Sequence, residues 1–195
     1  VTFKPDASIF NTVEFKFDTI SSRLQESAFL MKGVKFTIID ERINDRNEYC
    51  YENGLLEYVT NLNANKNPLC EVMHFYDEDE LSGISTEIAM QFCNEDYNET
   101  MYSYVNNVKT SDGGTHEAGF RSGLTRAIND FGEAQGLLKG KKLEGSDIRE
   151  GLTCVLSLKV PEPILEFEGQ TKGKLGTPEA TPVVQNMIYN KLTYY

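Results

Sequence analysis

No run of 18 apolar residues occurs in this chain, and its first residues do not read as a charged-then-apolar secretory signal. The sequence therefore offers no candidate for a membrane-spanning helix. Cysteine is sparse and scattered. Cys50, Cys70, Cys93 and Cys154 form no C-x-x-C pair, which argues against a disulfide framework or a zinc site and for buried free thiols in a reducing cytosol. Positive charge is in short supply: 19 Lys and Arg stand against 30 Asp and Glu, a formal net charge of -11. A freestanding DNA-binding module needs clustered cations against phosphate, so this balance argues against one while leaving room for a local basic patch. Internal repeats and low-complexity tracts are also missing.

What is present is ordinary for a folded protein. The chain is 39% hydrophobic and 25% charged over 195 residues, enough for one domain, or one domain and the edge of a neighbour, with a real core. It begins at Val1 rather than Met, and VTFKPD reads as the end of a strand, so the expectation is a fragment of something longer.

Periodicity predicts strands at Val13–Phe17 and Val34–Ile39, with a return strand carrying Tyr49 and Tyr51 after the polar turn ERINDRNE. Between the first two, Asp18 can cap a helix whose stripe is Ile20, Leu24, Ala28 and Met31, ended by Gly33. Residues 53–62 read as a second helix. Strands follow at 71–76, 84–94 and 99–107, and the middle one alternates Ile84, Thr86, Ile88, Met90 and Phe92. Asp112-Gly-Gly is a sharp turn, and the helix after it carries Phe120, Leu124, Ala127, Ile128 and Phe131 on one face. KGKKLEGSD is a solvated loop. LTCVLSLKV, residues 152–160, is the most apolar strand and is expected at the sheet centre. A glycine-lysine loop then leads to a helix starting near Thr181. The order is α+β, helices layered on a mixed sheet.

Two clusters invite a chemical reading. EFEGQTKGKLGTPEA, from Glu166 to Ala180, places two lysines among three glycines. It is not a phosphate-binding P-loop, because Leu175 follows Lys174 where Ser or Thr is needed. The residues alone leave a solvated loop and a phosphate-reaching loop level, with Lys172 a mobile point charge on a segment whose Gly169 and Gly173 permit close approach. DGGTHEAGF, residues 112–120, lacks the second histidine of a zincin. A Gly-Gly turn, Thr115 as N-cap and Glu117 in the first helical turn account for much of it, and His116 reads as a packed or capping residue. Asp147, Arg149 and Glu150 of EGSDIREG read as surface ion pairs, and DEDE at 77–80 as a solvated hairpin end. No nucleophile with its base and no catalytic carboxylate pair is found.

KTSDGGTHEAGFRSGLTRAIND, EGSDIREGLTCVLSLKVPEP and FEGQTKGKLGTPEA, in this order, resemble the transducer domain of the ATPase subunit of bacterial type IIA topoisomerases. VTFKPDASIF and AFLMKGVKFTIIDER extend the likeness over nearly the whole chain. EGSDIREG and QTKGKLGTPEA resemble the topoisomerase IV branch more than the gyrase branch. The resemblance implies a split β-α-β two-layer sandwich, a mixed sheet with helices on one face. It implies that residues 1–8 end the preceding GHKL-type ATPase domain, 9–180 are the transducer domain, and 181–195 start a long C-terminal helix. It further implies that Gln170 and Lys172 of a QTK loop bind ATP, reaching the γ-phosphate held in the preceding domain, with Lys172 catalytic as a transition-state stabiliser.

Implied with it are ATP and Mg2+, both held mainly outside this segment, and a cytoplasmic enzyme, an isomerase, acting on DNA. Its partners would be the ATPase domain, a second copy of the ATPase subunit and a cleavage and religation subunit in a heterotetramer; no membrane is implied, and this segment alone should be inactive. In such an enzyme the loop shifts when the phosphate leaves, and the flanking strand and helix carry the shift. The alternatives are the gyrase branch or a DNA-binding module without an ATP-linked role. Because the family encloses a duplex, either Arg121, Arg126, Lys139, Lys141 and Lys142 gather on one face or DNA contact here is weak.

Overall fold

The computed structural model describes residues 1–94 and 97–195. It falls into two units, Val1–Gly54 and Leu55–Tyr195. The first holds helix α1 (Phe17–Leu30) and a hairpin of β1 (Phe36–Asp40) and β2 (Asp45–Tyr49), paired antiparallel from Phe36↔Tyr49 to Asp40↔Asp45. The return strand starts earlier than expected, within ERINDRNE, and ends at Tyr49, so Tyr51 lies just beyond it. Both tyrosines contact α1: the Tyr49 hydroxyl lies 2.7 Å from Ser21 Oγ, and Gln25 Nε2 donates to the Tyr51 hydroxyl. Phe29 stacks on Tyr51 with ring centroids 3.7 Å apart.

Four expectations fail in this unit. Val1–Asp6 and Val13–Lys16 are not strands, and α1 begins at Phe17. Alternation marks a strand only where a second edge satisfies the backbone donors and acceptors, and no described strand pairs with either segment. Asp18 does not cap α1. Lys16 is the N-cap, and Asp18 sits in the first turn, where its charge still faces the positive end of the helix. Ile20 is exposed rather than buried, and Ala28 and Phe29 carry the contact.

The second unit opens with α2 (Leu55–Leu62), β3 (Asn67–Pro68), β4 (Met73–Glu78), β5 (Ser85–Asn94), β6 (Thr100–Val105) and β7 (Val108–Lys109). Then come α3 (Thr115–Ala134), α4 (Gly145–Ile148), β8 (Leu152–Lys159), a 3-10 turn at Glu162–Ile164, β9 (Phe167–Glu168), β10 (Lys174–Leu175) and α5 (Ala180–Thr193). The main sheet runs β3-β5-β8-β6-β7, with β4 also on β5. Among the described residues of this sheet only β6 and β8 pair in parallel, so it is mixed. β8 is central, as its composition predicts, and every residue of it except Lys159 is buried.

Alternation sorts the two faces. Ile88 pairs with Leu156 and Met90 with Cys154, and these side chains join Phe120 and Leu124 of α3 and Val184 and Ile188 of α5 in one core. Ala89 and Val155 point the other way. That opposite side carries a shorter helix of this unit, α2: Asn63 just beyond it donates to Gln91 Oε1 and accepts from Thr153 Oγ1. The principal helical layer, α3 with α5, therefore lies on one face as expected.

Two glycines let α3 and α5 touch. A Cβ on Gly119 would lie 2.4 Å from the Thr181 carbonyl oxygen, and one on Gly123 would lie 2.5 Å from that of Gln185. Phe131 departs from the expected face and is 62% exposed. The core ends at Leu124 with Ile128 at its margin, and the last turn of α3 runs past it.

Candidate functional site

The glycine-lysine segment is not a plain loop between a strand and a helix. It folds into a small hairpin, β9 against β10, with Leu175↔Phe167 and Lys174↔Glu168 in register. Gly169, at φ 78°, begins the reversal, and Lys172 holds φ 55° at its tip. Positive φ is uncommon for a residue with a Cβ and costs roughly 1–2 kcal/mol. The two lysines, equivalent in the sequence, have different environments. Lys174 Nζ lies 3.0 Å from Glu168 Oε2 across the ladder. Lys172 is exposed, its ammonium 5.8 Å from the Phe167 ring centroid, and no carboxylate among the described residues pairs with it. Gln170, two residues before it, is exposed as well. The tip thus presents an unneutralised cation and an amide to the surroundings.

The base of the hairpin meets the second cluster. Asp112 N–H donates to the Gly173 carbonyl at 2.8 Å, Leu175 N–H donates to the Gly113 carbonyl at 3.0 Å, and Gly114 bridges Leu175 in parallel. Leu175 is fully buried. On the far side, Thr177 Oγ1 donates to the Ile164 carbonyl and accepts from Glu166 N–H, and Thr181 Oγ1 donates to the Thr115 carbonyl. The two motifs that stand out separately in the sequence form one structure.

Behind the turn runs a chain of polar contacts. His116 Nε2 is 3.0 Å from Thr110 Oγ1, which is 2.5 Å from Ser103 Oγ. Ser103 also donates to Glu117, Glu117 pairs with Arg121, and Glu99 bridges Arg121 and Arg149 at 3.0 Å to each. His116 is fully buried, and burial, with Arg121 nearby, pushes its pKa down to about 4. A neutral packed imidazole matches the structural reading of this residue. Thr115 is not the N-cap; Gly114 holds that position, and Thr115 Oγ1 is buried without a hydrogen-bond partner among the described residues. Arg149 does not pair locally either, but reaches Glu99, while Asp147 accepts from Glu144 N–H in the capping box of α4. The ion pairs of Glu99 and the bond of the turn residue Asp112 to Gly173 are not legible in the sequence, since pairings across tens of residues leave no local signal.

Of the five basic residues that would have to gather for DNA contact, Arg121, Arg126 and Lys142 line one shallow cavity of about 550 Å3. Arg121 is already paired, and Arg126 faces Asp130 at 3.5 Å and Tyr189 at 4.3 Å. Lys139 and Lys141 are exposed on the following loop.

A family profile described as DNA gyrase B matches residues 54–195. The chain belongs to the DNA gyrase B family. Its similarity to relatives in that family covers its whole length: it is 51% identical to the B subunit of DNA topoisomerase 4 from Streptococcus pneumoniae and 49% identical to that from Bacillus subtilis, over 100% and 99% of the chain. It spans only 30% and 29% of those two relatives. Among solved structures it is similar to the B-subunit of the DNA gyrase from Myxococcus xanthus, at TM-score 0.85 and 25% identity over 98% of this chain and 60% of that one. It is also similar to the 43K ATPase domain of Thermus thermophilus gyrase B, solved with an aminocoumarin, at TM-score 0.80 and 31% identity over 98% and 51%. The mixed sheet and helix layer expected from the sequence are those of this gyrase B family fold.

Proposed function

We propose that this chain is the transducer segment of the ATPase subunit of a type II DNA topoisomerase of the topoisomerase IV branch. Residues 1–8 then end a preceding ATPase domain, 9–180 form the transducer and 181–195 begin a long helix. Lys172, assisted by Gln170, contacts the γ-phosphate of ATP held by that preceding domain, with Mg2+ accompanying the nucleotide there. The whole subunit hydrolyses ATP, pairs with a second copy and with a cleavage and religation subunit, and passes DNA strands in the cytoplasm. The branch is favoured by identities near one half to proteins named as the B subunit of DNA topoisomerase 4.

One observation carries the role of the hairpin: Lys172 stands exposed, without an anionic partner among the described residues, at the tip of a segment tied by backbone bonds to the start of α3. A core-building loop would gain nothing from such an arrangement. An ammonium held there can offset negative charge as it redistributes on a phosphoryl group, and losing one such contact typically costs about 10²–10³ in rate. When the anion goes, the attraction goes, and the preferred position of the hairpin changes with it.

Lys172→Ala in the full subunit is expected to lower ATP turnover by about 10²-fold or more. Its unfolding free energy should stay within about 0.5 kcal/mol of wild type, because the side chain is exposed. Near-normal turnover would reject the assignment.

A further inference from the structure

A ladder of two residue pairs cannot hold Lys172 in place, since isolated two-stranded hairpins are at best marginal. The tip must take its position from elsewhere. The peptide immediately after Lys172 is pinned by the bond from Asp112 N–H to the Gly173 carbonyl, and two residues on Leu175 is tied to Gly113 and Gly114. A Cβ at Gly114 would meet backbone, and one at Gly173 a side chain that would have to move. At Gly114, φ is 141° and an added Cβ would lie 2.4 Å from the Leu175 carbonyl oxygen and 2.6 Å from its nitrogen. At Gly173, a Cβ would lie 2.3 Å from Asp112 Oδ2. The turn runs directly into α3, a helix of 20 residues whose core face is buried against the sheet.

We infer that the Asp112–Gly114 turn is a positioning element for Lys172, indexing the ammonium to α3 through backbone bonds that only glycine at position 114 permits. The inference rests on the reading of Lys172 as the nucleotide contact. Its consequence is that displacement of the hairpin is passed first to the start of α3, as well as along the strand and helix that flank it in sequence.

The test uses Gly114→Ala, Lys172→Ala and the double variant in the full subunit. Gly114→Ala is expected to lower kcat for ATP turnover by about 10²-fold, the scale of a misplacement near 1 Å. Adding it to Lys172→Ala should lower kcat no further, because it acts through the same side chain. A second readout involves no nucleotide chemistry: trypsin should cut after Lys172 or Lys174 faster in Gly114→Ala than in wild type, as the hairpin leaves its dock. Should Gly114→Ala not fold, Gly173→Ala, which meets only the Asp112 and Ser111 side chains, should give a smaller loss with the same non-additivity.

Normal turnover in Gly114→Ala, or losses that multiply in the double variant, would overturn the positioning role while leaving Lys172 as the contact. Normal turnover in Lys172→Ala would remove the nucleotide reading itself, and the positioning role with it.

Discussion

His116 shows how burial fixes the state of a single residue. Its ring is excluded from solvent, with Nε2 near Thr110 and Nδ1 without a partner among the described residues, and its pKa falls to about 4 from an ordinary 6.5. The unfolded chain then binds the proton more readily than the folded one. The stabilisation is fully present above pH 6.5 and is lost as pH falls from there towards 4, by at most about 3 kcal/mol. Denaturant unfolding at several pH values in that window should show a steeper loss for wild type than for His116→Gln. Parallel slopes would mean that the imidazole is not held neutral. The thiols divide in the same way. Cys93 and Cys154 are buried, and burial pushes the Cys154 thiol pKa up, but Cys50 and Cys70 are exposed, against the expectation that all four are packed away.

Among the elements, the contact of α3 with α5 is set by two missing side chains. Gly119→Ala places a methyl group 2.4 Å from the Thr181 carbonyl oxygen, where backbone rather than a mobile side chain must yield. Thermal and denaturant unfolding should register a destabilisation of about 1–3 kcal/mol, the usual cost of overpacking; a neutral result would show that the helices can separate freely. Elements with sustained periodicity were legible from the sequence: β5 from its alternation, β8 from its apolar run, and α3 from Phe120, Leu124 and Ala127. Phe131 was not, because periodicity cannot say where the partner surface stops. The β9–β10 hairpin was not either. Two residues per strand carry no period, and what holds it lies some sixty positions earlier, at Gly113 and Gly114. Lys172 could be singled out from Lys174 only through family resemblance. The structure separates them physically, by giving Glu168 to Lys174.

Over the whole chain, the net charge of -11 opposes binding to phosphate backbones, and Arg121 and Arg126 already face carboxylates. The isolated chain should therefore bind duplex DNA only weakly at physiological salt, with a shallow dependence of log K on log salt concentration. Tight binding with a steep slope, measured by fluorescence anisotropy, would mean that Lys139, Lys141 and Lys142 act together as a phosphate track. Under the proposed function, the electrostatic contact that matters is instead that of the exposed Lys172 ammonium at the tip of the β9–β10 hairpin.

The proposed contact of Lys172 with the nucleotide has a direct structural test. A structure of the intact subunit with a non-hydrolysable ATP analogue should place Lys172 Nζ about 2.7–3 Å from an oxygen of the terminal phosphoryl group, with Asp112 still bonded to Gly173. A nucleotide-bound structure in which Lys172 points into solvent, away from the triphosphate, would contradict it.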